Sequence, residues 1–386
     1  MDVDFTEEQR LLGETLNRFV KDRYGFHDRE RSVAATGGYS RAVWGQLAEL
    51  GVLGLPFAEE DGGFGCGAVE TMLVMEALGR GLVVEPYLAT VVLAGGALRL
   101  AGTAAQKATR IAAIVAGERV MALAHQERSG PRHTVERLAT RAVPGQGADQ
   151  GAGQGGWRLT GAKTAVIAGA GADELVVSAA TPEHGVSLFL VDPAAAGVRL
   201  RGHTGYDGVA VADVAFDGVE LPADALLGRE GEGASILSRL FEEANAALAA
   251  EAVGIMADLL DTTTEYLRTR TQFGVPIGSF QVLQHRAVDM LMQVELARSM
   301  AILAALSLDR PAEERRLNVA AAKVKVGRAG RFVGQQAVQL HGAIGLTAEY
   351  KVGHGFKRLT AIDALFGDAD HHLDVLAEAG GLPPIG

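Results

Sequence analysis

A single cysteine, Cys66, in 386 residues rules out an intrachain disulfide, a cysteine-based zinc site and a CxxC redox pair. That scarcity fits a reducing, cytoplasmic setting. Cys66 lies among glycines in Gly62-Gly-Phe-Gly-Cys-Gly67 with no motif around it, and reads as a structural thiol. Positive charge is also short: 36 lysines and arginines against 47 acids give a net charge of −11, and no basic patch stands out. A nucleic-acid surface is therefore not expected as the main business of the chain. No export signal is expected, because MDVDFTEEQ is acidic where a leader would be basic and then apolar. No membrane span is expected either, since the apolar region from Leu82 is broken by Glu85, Pro86 and Arg99. No repeat period of about 20 to 50 residues is present.

What the chain does have is 48% hydrophobic residues, 22% charged residues and 50 glycines, a globular composition with many turns or close backbone contacts. Its length exceeds one typical core, so about two or three domains are expected. Residues 1–118 read as an α-helical domain: Thr6 caps a first helix whose Leu11, Leu12, Leu16, Phe19 and Val20 share a face, and a second helix runs from Ser40 to Leu50. Residues 119–229 read as a β-barrel domain with strands at 120–124, 157–159, 174–178, 186–191 and 209–216. The tract 143–156 is low in complexity and reads as a hairpin tip. Residues 230–386 read as a four-helix bundle with helices at 235–268, 279–308, 311–340 and 356–377.

The stretch from Arg268 to Met290 organises the last domain. Arg268 and Arg270 close one helix, Phe273-Gly274, Pro276 and Gly278 force a turn, and Ser279 is placed to cap the next helix. Phe280, Leu283, Ala287, Met290 and Leu291 then fall at the spacing of a buried face. Other motifs have plainer readings. Gly169 and Gly171 begin like a dinucleotide fingerprint, but a strand, not a helix, follows, so a strand-to-strand turn is expected. Gly342 and Gly345 end a helix, where glycine is a usual cap. Asp368, Asp370, His371 and His372 supply too few ligands in register for a metal and suit a helix start. His341 reads as a satisfied, semi-buried histidine, and Arg298 as one partner of a helix-face ion pair.

Arg270-x-x-Phe273-Gly274, then Ile277-Gly-Ser-Phe-Gln281, then Gln339-Leu-His-Gly-Ala-Ile-Gly345 follow one another in an order that resembles the flavin-binding segments of the acyl-CoA dehydrogenase family. Gly51-Val-Leu-Gly-Leu-Pro-Phe and Glu59-Glu-Asp-Gly-Gly-Phe-Gly resemble its N-terminal domain, and the likeness spans the chain. The resemblance implies α,β-dehydrogenation of an acyl-CoA thioester, an FAD cofactor and an electron-accepting flavoprotein as redox partner. It implies that Arg270, Gln272, Phe273, Gln281, Gln339 and Gly342, with Asp368, contact FAD held by a neighbouring subunit, and hence an oligomer.

The departures are concentrated elsewhere. Counting without gaps from Glu349-Tyr350 places Phe366 where most members carry the catalytic glutamate. The alternative base position falls on Ala244, with Glu243 turned about 100° away on the helix, and the neighbouring CoA-binding arginine position is Asn245. The flavin-cradling Thr-Glu-Pro segment has become His125-Gln126-Glu127-Arg128, and the family's Trp-Ile-Thr has become Ala165-Val166-Ile167. Two weak candidates for a displaced base remain, Glu243 and Asp368. The expectation is a subunit that completes the site of a larger, base-carrying partner in an α2β2 assembly. Its alternatives are a self-sufficient homotetramer with a displaced base and a scaffold subunit without flavin.

Overall fold

The computed structural model describes residues 5–128, 135–145, 156–182 and 184–380. Among them the chain runs helices, sheet, helices. The first helices are α1 (Glu7–Arg23), α2 (Phe26–Ala34), α3 (Arg41–Glu49), α4 (Ala68–Arg80) and, after a π-helical stretch at Leu88–Ala94, α5 (Gly95–Ala101) and α6 (Ala104–Val115). Thr6 accepts from the Gln9 amide and the Gln9 side chain bonds back to Thr6, the reciprocal capping box its sequence announces. The face of α1 is narrower than its periodicity suggests: Leu16 and Val20 are buried, but Leu11 is exposed. Ser40 caps α3 through the Val43 amide.

The middle strands are β1 (Met121–Ala124), β2 (Arg141–Pro144), β3 (Trp157–Ile167), β4 (Glu174–Thr181), β5 (Gly185–Val191), β6 (Val198–Thr204), β7 (Ala210–Leu221) and β8 (Leu226–Leu227). They form one eight-stranded sheet in the order β6-β7-β3-β2-β4-β5-β8, with β1 paired in parallel to β4. Strands β6 and β8 stand at the two ends of this ladder. Its core is built on Leu159, Val177, Phe189, Val214 and Trp157, the last edge-on to Phe189 at 5.2 Å. A short 3-10 turn at Gly169–Gly171 joins β3 to β4, so the glycine pair is the strand-to-strand turn that its context implies. Residues 146–155 of the low-complexity tract lie outside the described residues; its flanks pair as β2 and β3.

The last part comprises α7 (Gly233–Thr269), the two-residue strands β9 (Thr271–Gln272) and β10 (Val275–Pro276), α8 (Gln281–Ser307), α9 (Ala312–His341), α10 (Lys351–Ala364) and α11 (Ala369–Glu378). Two sequence expectations are corrected here. The helix expected over 356–377 is two helices, because Phe366 and Gly367 take φ of 52° and 103° and Asp368 then caps α11. Ser279 is not the cap of α8: a 3-10 turn occupies 277–279, the Ser279 hydroxyl donates to the Pro276 carbonyl, and Phe280 stands at the cap. The start of α8 is also more exposed than expected, with Phe280 and Leu291 at the surface and Met290 buried. Although α8 is long and apolar enough to cross a bilayer, Met290, Val294, Ala297, Ala301 and Ala304 are buried within the fold.

Two compact units divide the chain, and α7 contributes to both. One comprises Met1–Glu30, Ala68–Val83 and Asn245–Gly386 and is helical apart from β9 and β10; the other comprises Arg31–Gly67 and Val84–Ala244 and holds the sheet.

Candidate functional site

In the helical unit, the end of α7 delivers Arg270 to a tight hairpin. Its amide still donates to Tyr266 at 2.9 Å, after which Gln272 pairs with Val275 and Thr271 with Pro276. The turn residues are Phe273 and Gly274, with φ of 53° and 80°. Positive φ at both central residues is the requirement of a type I′ turn, whose twist matches the strands it joins. Glycine meets it freely, whereas phenylalanine in this region costs on the order of 1–3 kcal/mol. Phe273 is nonetheless 91% exposed, edge-on to Phe280 at 6.2 Å between ring centres.

The facing wall is the C-terminal end of α9. Gly342 caps it with φ of 65°, and open space lies where a Cβ would project. His341 is buried, bonded at Nδ1 to the Ala337 carbonyl at 2.8 Å and at Nε2 to the Tyr350 hydroxyl at 3.3 Å, and stacked on Tyr266 at 4.5 Å. Burial holds its pKa below the ordinary histidine value. It is a packing histidine, as its sequence context suggests.

Between these walls lies a cavity of about 370 Å³ lined by Arg270, Gln272, Gln339 and Gly342, and also by Tyr266 and Arg286. Four residues singled out in the sequence are thus brought together from two helices and a hairpin. Phe273 and Gln281 do not line it; they sit at the hairpin tip and at the start of α8, both exposed. Tyr266 and Arg286 escaped the sequence reading, although Tyr266 lies one helical turn before Arg270.

The candidate acids are differently placed. In the sheet unit, Glu243 is 9% exposed and clasped between Arg99, at 2.6 Å, and Arg239, at 2.8 Å. Asp368, in the helical unit, accepts the His371 amide at 2.9 Å as the cap of α11. His372, its i+4 neighbour, has Nε2 at 3.2 Å from the Phe366 carbonyl. No group of three or more histidine, cysteine or acidic residues suited to a metal occurs among the described residues. The Phe366 carbonyl also accepts from Asn245 at 3.2 Å, and buried Lys323 donates to the Asn245 side chain at 3.2 Å and to the carbonyls of Ile362, at 2.8 Å, and Leu365. The turn between α10 and α11 is therefore held from α7 and α9. Arg298, as its position suggests, is a helix-face ion-pair partner, of Glu76 and Glu295.

In the sheet unit, three side chains of the segment 125–128 bond to residues of that same unit. His125 Nδ1 lies 2.9 Å from the Ser178 hydroxyl, with its ring edge-on to Phe241; Glu127 receives Lys163 at 2.8 Å; and Arg128 donates to Asp213 at 2.8 Å. Asp213 also accepts from the Thr164 hydroxyl at 2.5 Å and the Ala165 amide at 3.3 Å, fixing Ala165 at φ of 50° beside a break in the β3–β7 register.

Comparison with known proteins agrees with this architecture. The family model for the acyl-CoA dehydrogenase N-terminal domain matches residues 6–118, and that for the C-terminal domain matches residues 231–381. The chain is 30% identical over 346 residues to acyl-CoA dehydrogenase FadE27 of Mycobacterium tuberculosis, covering 87% of each. Among solved structures, it is similar to a chain of the ChsE4–ChsE5 complex from Mycobacterium tuberculosis, with a TM-score of 0.87, 28% identity and 100% of each chain covered. It is also similar to butyryl-CoA dehydrogenase from Megasphaera elsdenii, with a TM-score of 0.88, 26% identity and 98% and 99% covered.

Proposed function

Since the chain belongs to the acyl-CoA dehydrogenase family of FAD-dependent oxidoreductases acting on CH–CH groups, we propose that it is a subunit that completes the FAD site of a larger partner chain carrying the catalytic glutamate. The contrast between Arg270 and Glu243 carries this reading. Arg270 lines an open cavity and forms no ion pair among the described residues, while Glu243, the candidate base nearest the family position, is neutralised by two guanidinium groups. A general base must be free to approach the proton it takes. The ungapped count from Glu349-Tyr350 puts Phe366, which cannot act as a base, at the family's base position, in a turn held by Lys323 and Asn245.

The cavity suits the diphosphate half of FAD. Arg270 can present a planar, permanently charged fork, Gln339 an amide donor, and Gly342 a backbone that a ligand can approach closely. The strained, exposed Phe273 fits a residue shaped for contact with the neighbouring subunit. When bound, FAD supplies the hydride acceptor for the acyl-CoA β-carbon; the part of this chain is to hold and orient it. The internal bonds of His125, Glu127 and Arg128, in the segment that replaces the family's Thr-Glu-Pro, support a chain whose own flavin half is altered. An α2β2 assembly follows from this division of labour, and the similar ChsE4–ChsE5 structure is a complex of two components. Residues 51–65, 278–286 and 365–372 resemble the small subunit of pimeloyl-CoA dehydrogenase, so the acyl group is proposed to be a dicarboxyl chain and the electrons to pass to a flavoprotein acceptor.

Loss of the Arg270 fork is expected to weaken FAD binding by about 1.5–3 kcal/mol, as for a charge-assisted hydrogen bond, or about ten- to a hundredfold. Flavin content of Arg270→Ala, purified with its partner chain, measures this, and wild-type occupancy would refute the reading. Glu243→Gln is expected to leave turnover of the mixed complex within about threefold of wild type. Abolished turnover in that variant, with flavin retained, would instead make Glu243 the base.

A further inference from the structure

Arg286 shares the Arg270 cavity, and nothing in the sequence motifs assigns it a role. It projects from the second turn of α8, where its Nη1 donates to Gln336 Oε1 at 2.9 Å. Gln336 is neutral, so it fixes the guanidinium without cancelling its charge. None of the residues lining the cavity is acidic, and neither Arg270 nor Arg286 forms an ion pair among the described residues. Several other arginines of the helical unit do form ion pairs, among them Arg80 with Asp261, Arg298 with Glu76, Arg331 with Asp363 and Arg358 with Glu251. Two permanent cations on one cavity of about 370 Å³, in a chain with an excess of 11 acids, repel each other unless an anion lies between them. A diphosphate carries one charge on each phosphoryl group, so it offers one acceptor group to each fork.

Resting on the reading that this cavity takes FAD, we propose that Arg286 is its second diphosphate-binding residue, oriented by Gln336, and that the pair of arginines makes the cavity select a diphosphate over a monophosphate. Arg270 meets the ligand from the hairpin side and Arg286 from the helix side. The lining residues Tyr266, Val282 and Leu283 give the cavity one apolar flank beside the two guanidinium groups.

The test uses the full chain purified with its partner, stripped of flavin and titrated with FAD, with ADP and AMP as competitors. Arg286→Met is expected to raise the FAD Kd about ten- to a hundredfold and to flatten its salt dependence. Arg286→Lys should recover part of that loss. Wild type should be displaced by ADP at concentrations about tenfold below AMP, and Arg286→Met should lose that preference. Gln336→Leu, which frees the guanidinium but keeps its charge, should weaken FAD by a few-fold at unchanged oligomer size. If Arg270→Ala weakens FAD while Arg286→Met and Gln336→Leu bind it like wild type, the role of Arg286 is refuted and the FAD site stands. If none of the three variants alters FAD binding, the site itself is refuted. Should Arg286→Met fail to assemble, Arg286→Lys, Gln336→Leu and the wild-type ADP-to-AMP ratio decide: wild-type affinity in both variants, or equal competition by the two nucleotides, overturns the proposal.

Discussion

Lys163→Met is expected to lower the stability of the sheet unit by about 3–5 kcal/mol, the usual cost of removing one member of a buried ion pair. The Lys163 side chain is wholly buried and its ammonium uses all its donors, on Glu127 at 2.8 Å, the His125 carbonyl at 3.0 Å and the Ser178 hydroxyl at 3.2 Å. Without it, Glu127 stays buried against the Ala139 and Thr140 amides at 2.6 and 3.0 Å with no cation to balance it. Burial pushes the Glu127 carboxyl up, but hydrogen bonds from Lys163, Thr140 and Ala139 outweigh it and hold the pKa at about 2. Burial pulls Lys163 down to about 8, with Glu127 opposing, so both groups are charged at pH 7. The sign for Glu127 follows: its contribution is complete above the ordinary value of 4.5 and is lost as pH falls toward about 2. Lys163→Met should remove that acid limb together with the stability. Urea unfolding followed by tryptophan emission is a suitable measure, since Trp157 lies in the sheet core. A shift below about 1 kcal/mol would mean that the network is dispensable. The double change Lys163→Met with Glu127→Leu should recover part of the loss, because removing both charges is far less costly than stranding one.

None of this network was legible in the sequence, and the reason is physical. A lysine in a strand pattern normally reaches water, and the partner that lets Lys163 stay inside lies 36 positions away on a loop. What could be read was local or periodic: the Thr6 capping box, the long apolar stripes of α7 and α9, and the β-branched runs of β4 and β5. Strand β6 was missed because it stands at the end of the ladder with little of its surface buried, and the face it offers is short, Val198 and Leu200 alternating with Arg199 and Arg201 before Gly202 and His203. The break between α10 and α11 was half visible. Gly367-Asp368 is a stop followed by a cap, but Phe366 at positive φ is unusual enough for its side chain type that the apolar periodicity ran straight through it. The motif residues Arg270, Gln272, Gln339 and Gly342 were found by likeness and converge on one cavity, whereas Arg286 joins them only through the folding of α8 beside α9.

Lys323→Met is expected to destabilise the helical unit by about 2–4 kcal/mol at pH 7, the sum expected when several buried acceptors each lose a partner and part of a charge's desolvation cost is relieved. Lys323 is 1% exposed and anchors the end of α10, donating to the Ile362 carbonyl, which among the described residues otherwise accepts only the long 3.3 Å bond of the Leu365 amide, and to the Leu365 carbonyl just past the helix. It also fixes Asn245, which in turn holds the Phe366 carbonyl, so one ammonium sets the turn between α10 and α11. Burial, against the attraction of Asp363 and Asp368, pushes its pKa from 10.5 down to about 7. Between those values the unfolded chain binds a proton that the folded chain does not. Stability therefore rises with pH from about 7 toward 10.5, by at most about 1.4 kcal/mol per unit, and the lysine's contribution is least favourable below pH 7. Lys323→Met abolishes this rise, so the difference between wild type and variant should widen from pH 7 to pH 9. Amide exchange across residues 365–368 gives the local readout: faster exchange in the variant is expected there before α10 and α11 are affected. Parallel pH profiles in the two proteins, or unchanged exchange in that turn, would show that Lys323 does not hold it.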